Sequence, residues 1–409
     1  METFHRLSAI SADKINVYTG AVVIVETGAL YACGNNESGQ LDIGDSSNRS
    51  TLVRVPLEES VNTVVTSNSS IYVLTRSGAL YACGRNSSGQ LGLGDYQERS
   101  TLRRLPLKES VKTVATNSDS TFVVTASGEL YACGSNWYGR LGLGDNSDRS
   151  TLQRIPLEER AETVVTASAS TFVLTVSGAL YACGSNVYGQ LGLGDDSNRS
   201  TLTRMPLEES AVAITANNAS TFVLTVNGAL YTCGNNYSGQ LGLGDSENRS
   251  TLQRVPLDES VKTVVVGNAS TFALTVNGAL YACGLNGCGQ LGLGDDSNRS
   301  TLRKVSLEEK VKMVVTDNSF TLVLTVHGAL YACGYNHYGQ LGLGDTQQRS
   351  MLTKMPLEES VKTVATGNYS TFVLTVNEAL YTCGENDYGQ LCIGDSSDRS
   401  TLTKTSTTG

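Results

Sequence analysis

The chain has 409 residues, 40% of them apolar, and a formal net charge of −9. Its longest apolar run, Ala21 to Val25, falls far short of the roughly 20 residues a membrane-crossing helix needs. An acidic balance without a basic run excludes an electrostatic nucleic-acid surface, because neutralising phosphates takes clustered Lys and Arg.

The first residues, Met1 to Leu7, lack both a basic segment and a continuous apolar stretch, so no secretory signal is expected. Glu2 to Leu7 does occupy the register of an outer strand, where it competes with the better-matching Thr401 to Ser406 to complete the last structural unit. From Gly28 onward, the phrase Gly-Ala-Leu-Tyr-Ala-Cys-Gly, a variable stretch and Gly-Gln-Leu-Gly-Leu-Gly-Asp return eight times with few substitutions, at a spacing of 50 residues without insertion. Such a period marks an array whose units bury their apolar faces only against neighbours. Eight units leave nine residues over, so residues 1–409 are expected to form a single domain.

Within a unit the hydrophobic period is two. In residues 161–184, Ala-Glu-Thr-Val-Val-Thr, Ser-Thr-Phe-Val-Leu-Thr and Ala-Leu-Tyr-Ala-Cys each predict a short strand between small polar or glycine turns. A fourth strand is expected near Thr151 to Pro156. Prolines return there at Pro56, Pro106, Pro206, Pro256 and Pro356, and a strand tolerates proline only at an edge, so this strand should be outermost. Four antiparallel strands per unit predict an all-β propeller of four-stranded blades, with eight blades favoured and seven plus a displaced unit as the alternative. No window has helical periodicity, and one tryptophan with no Trp-Asp or Gly-Gly pair excludes two other propeller repeat types.

Eight of the ten cysteines are one cysteine repeated, from Cys33 to Cys383. Equivalent positions in a ring should lie beyond the roughly 7 Å Cα limit of a disulfide, so these residues are expected to be buried thiols acting as small apolar groups. Without a Cys-x-x-Cys or Cys/His cluster, no metal site and no cofactor are expected. Reduced thiols and the missing signal point to the cytosol or nucleus. The repeated Asp/Arg pair, such as Asp195 and Arg199, is read as a loop fastening, since a feature present in every unit belongs to the scaffold. Gly34, Gly39, Gly44 and their equivalents are expected at positive φ or at close backbone approaches.

The units differ most in the loop after the third strand, x-Asn-x-x-Gly. There lie the only tryptophan and six of the eighteen tyrosines. The candidate partner-binding residues are Arg85, Trp137, Tyr138, Tyr188, Tyr237, Tyr335, His337, Tyr338, Glu385, Asp387 and Tyr388, with Trp137 and Tyr338 as the anchors. Aromatic residues flanked by charges on one face fit protein recognition. The turn between the first and second strands, as at Gly367 to Tyr369, reads as small, polar and solvated. No triad, metal motif or poised carboxylate pair stands out from the repeat, so no catalytic residue is expected.

The phrase Gly-Ala-Leu-Tyr-x-Cys-Gly-x-Asn-x-x-Gly-Gln-Leu-Gly-Leu-Gly-Asp, clear at residues 78–95, resembles the repeat of the regulator of chromosome condensation family over essentially the whole chain. Family members commonly carry tryptophan where this chain has cysteine, and the best-known build seven blades. A monomer is expected, and the resemblance implies a propeller that holds another protein, with exchange of guanine nucleotide on a Ran-type small GTPase as the founding activity. That activity uses a wedge inserted in one blade, whereas every unit here is 50 residues long. A binder or inhibitor without exchange activity is therefore the alternative.

Overall fold

The computed structural model describes residues 15–17, 20–24, 28–67, 69–367 and 369–405. The alternating segments become strands. Ala161–Thr166, Ser170–Thr175, Leu180–Gly184 and Arg199–Arg204 pair antiparallel in chain order, with Phe172 opposite Val165 on one side and Ala182 on the other. The same sheet returns every 50 residues. The first consists of Ile15–Val17, Gly20–Ile24, Leu30–Gly34 and Arg49–Arg54, and the last of Val361–Gly367, Ser370–Thr375, Leu380–Gly384 and Arg399–Lys404.

Each first strand touches the first strands of the neighbouring sheets, and Ile15–Val17 touches both Val61–Ser67 and Val361–Gly367. First strands therefore surround a common axis and fourth strands lie outermost, which makes the fold an all-β propeller of four-stranded antiparallel blades. The outermost strand Arg149–Arg154 has a full ladder only with Leu130–Gly134, and Pro156 lies two residues beyond its end. The last blade is completed by the C-terminal strand Arg399–Lys404, paired with Leu380–Gly384. The competing segment Glu2 to Leu7 lies outside the described residues.

The apolar core runs between blades. Phe172, Leu174, Leu180, Leu191 and Met205 pack against Ala211, Ile214 and Val223 of the following sheet. Every residue of the second strand Ser170–Thr175 is buried, because a blade stacks on both of its faces. Burying one such phenylalanine contributes about 1.5–3 kcal/mol. Between the last and first blades the same packing joins Ala365, Phe372, Leu380 and Leu391 to Cys33 and Leu52.

The loop after the third strand clasps the next blade. The Gly194 amide donates to the Ser250 carbonyl at 2.8 Å, and a Cβ on Gly189, at φ +77°, would lie 2.4 Å from the Ser250 Cα. Only glycine accepts that dihedral and that approach together. The loop is ordered from within by the buried Asn186, whose Nδ2 donates to the Asp195 carbonyl and whose Oδ1 accepts the Leu191 amide, both at 2.8 Å. Asp195 pairs with Arg199 at 2.6 Å, so the repeated ion pair fastens its own loop.

The repeated cysteines sit at these junctions. The Cys233 thiol donates to the Gln190 carbonyl of the preceding unit at 3.5 Å, and burial pushes the Cys133 thiol well above its ordinary range. One expectation fails. Cys33 is not a free thiol but forms a disulfide with Cys392, with a Cα separation of 5.9 Å, while Cys83, Cys133, Cys183, Cys233, Cys283, Cys288, Cys333 and Cys383 are free. Cys392 is not equivalent to Cys33, so the spacing between equivalent positions does not keep the two apart. It replaces a glycine, such as Gly142, at which a Cβ would sit 3.3 Å from the sulfur of the next blade's cysteine. A cysteine there meets a cysteine.

The other departure from glycine at this position is Asp42, at φ 59° and 6% exposed. Its carboxylate accepts the Leu102 amide at 2.5 Å, yet burial outweighs that bond and the charge of Arg103, raising its pKa to about 6. Both departures flank the first blade.

Two expectations follow. Restoring glycine with Cys392→Gly removes a cross-link spanning 359 residues and should cost about 2–4 kcal/mol of unfolding free energy. Reductant should destabilise the wild type to the variant's level. Equal denaturation midpoints for oxidised and reduced wild type would contradict this. For Asp42, the folded state holds its proton more tightly than the unfolded chain, so stability is greatest below pH 4 for this group and falls as pH rises through about 6. Asp42→Asn should abolish that fall, on the order of 3 kcal/mol, in urea titrations at pH 4 and pH 7. An unchanged pH difference in the variant would contradict the assignment.

Candidate functional site

Successive strands alternate in direction, so the first-to-second turn and the third-to-fourth loop of every blade emerge at one end of the sheet. The Arg85 amide, donating to the Ser69 carbonyl at 2.8 Å, ties the two together. Because the blades repeat in register, the variable positions of all units lie on one face of the propeller.

The candidate residues divide into distinct patches around that face. Arg85 reaches towards the next blade's turn, with Nη1 3.9 Å from Asp119 Oδ1. Trp137, 67% exposed, opens a single 3-10 turn in which Tyr138 adopts φ 62°. Tyr188 and the 68% exposed Tyr237 meet edge to face at 6.0 Å. Tyr335, His337 and Tyr338 form a cluster, with His337 and Tyr338 rings 5.4 Å apart and nearly perpendicular. Glu385 and Asp387 border that cluster from the last blade. Tyr388 is half-buried beside them, its amide donating to Gln390 Oε1 at 3.0 Å. Among the described residues Trp137, Tyr138 and Tyr388 stand outside both ring clusters.

The cluster has a member that the sequence reading assigned to solvated turn. Tyr369, at φ 57°, packs 5.8 Å from Tyr335 and 5.4 Å from Tyr338. Its position is the equivalent of Asp119, so the place taken by an ion pair with Arg85 in one junction is taken by mutually tilted tyrosines in another. The signal was present, since the equivalent residues in the sequence are Thr19, Ser69, Asp119, Ala169, Ala219, Ala269 and Ser319, leaving Tyr369 the only aromatic. Asp317, 6% exposed, accepts the Tyr369 amide at 3.2 Å and the Asn318 amide at 2.6 Å.

Negative charge gathers here. Glu385 is raised to about 7, first by burial and then by Asp387, Asp398 and Asp317. The Tyr338 and Tyr369 hydroxyls are also pushed upward, by burial and then by these carboxylates and the neighbouring tyrosines. Among the described residues no Lys or Arg pairs with Glu385, Asp387, Asp398 or Asp317. The arrangement offers tilted ring faces and carboxylates without counter-ions.

With this geometry established, comparison places the chain. The RCC1-like domain family matches residues 11–258, and the regulator of chromosome condensation (RCC1) repeat matches 277–324 and 327–374. The chain belongs to the RCC1 family. Human WBSCR16 is similar in structure, with a TM-score of 0.68 at 19% identity over 83% of this chain and 96% of that one. Prp20p from Saccharomyces cerevisiae, described for its binding to Gsp1p and histones, has a TM-score of 0.66 at 17% identity over 87% of this chain and 91% of that one. Yeast RCC1 (Prp20) bound to Kap60 has a TM-score of 0.64 at 17% identity over 99% of this chain and 91% of that one. Comparison with curated proteins finds no match. Among the described residues, no helix is long and apolar enough to cross a membrane, and no three His, Cys, Asp or Glu side chains are grouped to hold a metal ion.

Proposed function

We propose that this RCC1-family chain is a monomeric, eight-bladed docking propeller of the cytosol or nucleus whose loop-bearing face binds a protein, with a small GTPase as the leading partner class. The observation that carries this is the segregation of variation. Residues facing the core and the clasps are nearly the same in every unit, while Trp137, Tyr188, Tyr237, Tyr335 and Tyr338 vary on one face. Exposed aromatics of this kind are the usual energetic anchors of protein interfaces. The blade count is supported by one four-stranded sheet per repeat, from Ile15–Val17 to Arg399–Lys404. The compartment reading rests on family membership and on Prp20p, described for its binding to Gsp1p and histones, and the Cys33–Cys392 disulfide is the observation against it.

The GTPase reading rests on family membership and on the described binding of Prp20p to Gsp1p. The uniform 50-residue unit favours a second reading, a binder that holds or blocks its partner without releasing nucleotide, because no blade carries an inserted wedge.

A Ran-type GTPase loaded with fluorescent guanine nucleotide tests both. A complex should form, and Trp137→Ala combined with Tyr338→Ser should weaken it by more than tenfold, as loss of anchors worth roughly 2 kcal/mol each implies. Faster nucleotide release would assign exchange, and binding without release the blocking role. No complex with a panel of small GTPases would overturn the GTPase assignment.

A further inference from the structure

We infer that Tyr335, Tyr338 and Tyr369, bordered by Glu385, Asp387 and Asp317, form a seat for a lysine or arginine side chain, so that the docked protein presents a basic segment to the junction between the last two blades. This rests on the docking-face reading and names the chemistry of the partner.

Three observations carry it. The rings are tilted rather than stacked, with interplanar angles of 66° for Tyr335–Tyr338 and 58° for Tyr335–Tyr369. Tyr335, Tyr338 and Tyr369 are only partly buried, and a ring face with its negative quadrupole attracts a cation. The carboxylates around them have no Lys or Arg partner among the described residues, although the chain pairs its carboxylates elsewhere on this same face, as at Arg85 and Asp119. Finally, the empty seat disfavours the ionised form of Glu385, which holds its proton up to about pH 7. Glu385 is crowded by like charge and desolvated, a condition that an incoming cation relieves and an incoming apolar or acidic group worsens. The feature is also peculiar to this junction, since Tyr369 replaces small residues or aspartate at the same place in the other described turns.

The repeat supplies variants that should fold. Ser38, Ser88 and Ser238 are the equivalents of Tyr338, Ser69 and Ser319 of Tyr369, Ser135 and Ser185 of Glu385, and Ser87 of Asp387. The probe is a fluorescein-labelled peptide of alternating lysine and glycine, read by anisotropy at two salt concentrations, with folding checked by thermal melts. The peptide should bind, and both Tyr338→Ser/Tyr369→Ser and Glu385→Ser/Asp387→Ser should weaken it about tenfold or more, as removal of a desolvated cation–π and charge contact implies. The control Glu58→Gln/Glu208→Gln removes the same charge from exposed connections at the opposite end and should leave affinity within about twofold, as expected of screened, exposed charges.

Equal loss in the control would overturn the seat in favour of general attraction to an acidic protein. Loss with Trp137→Ser but not with the Tyr338/Tyr369 pair would overturn it while leaving the docking face standing. Affinity indifferent to every loop variant would overturn both. Absence of peptide binding would overturn the seat alone, the docking face then being decided by the GTPase experiment.

Discussion

The structure depends on the clasp between one blade's glycine loop and the outer strand of the next. An apolar sheet face alone would permit blades to slide. The bond from Gly194 to Ser250 and the close approach of Gly189 to the same serine set the spacing and rotation between neighbours. The buried Asn186 orders the loop through bonds made within its own blade. Repeated around the chain, the clasp returns to its start, where Gly389 and Gly394 meet Ser50 as Gly189 and Gly194 meet Ser250. Closure removes the exposed apolar face and blade edge that an open array would leave.

That geometry separates scaffold from surface. The Asp195–Arg199 pair, the buried asparagine and the junction cysteine are spent on holding loops and blades. Residues that escape these duties project from the tips, and there the chain varies. The last blade carries both themes, since Cys392 abandons glycine to bond Cys33 of the first blade, while Tyr369 abandons a small residue to join Tyr335 and Tyr338 of the preceding blade.

Much of this was legible in the residues. Period-two alternation located the strands because each face of a blade is buried against a neighbour, and the recurrent proline marked the outer edge because such a strand lacks a ladder on its far side. The positive φ of Gly34, Gly39 and Gly44 was likewise readable from their repetition. What escaped were contacts between non-equivalent positions of adjacent blades. Repeat arithmetic compares Cys33 with Cys83, but packing brings it to Cys392, one blade back and at a different register position. It compares loop with loop, but Tyr369 reaches the Tyr335 loop from a turn 34 positions along the chain. Buried charge was invisible for the same reason, since Glu385 is perturbed by Asp317 across the junction as well as by Asp387 beside it.

The central claim is that the clasp closing the ring is equivalent to those within it. Hydrogen exchange at the Gly394 amide, compared with the Gly194 amide in the same protein, tests it most directly, because each donates to a serine carbonyl of the adjoining blade at 2.8 Å. Protection of the two within about tenfold is the predicted result. A Gly394 amide exchanging at the rate of an unstructured chain while Gly194 stays protected would contradict closure and, with it, the shared face on which the functional account is built.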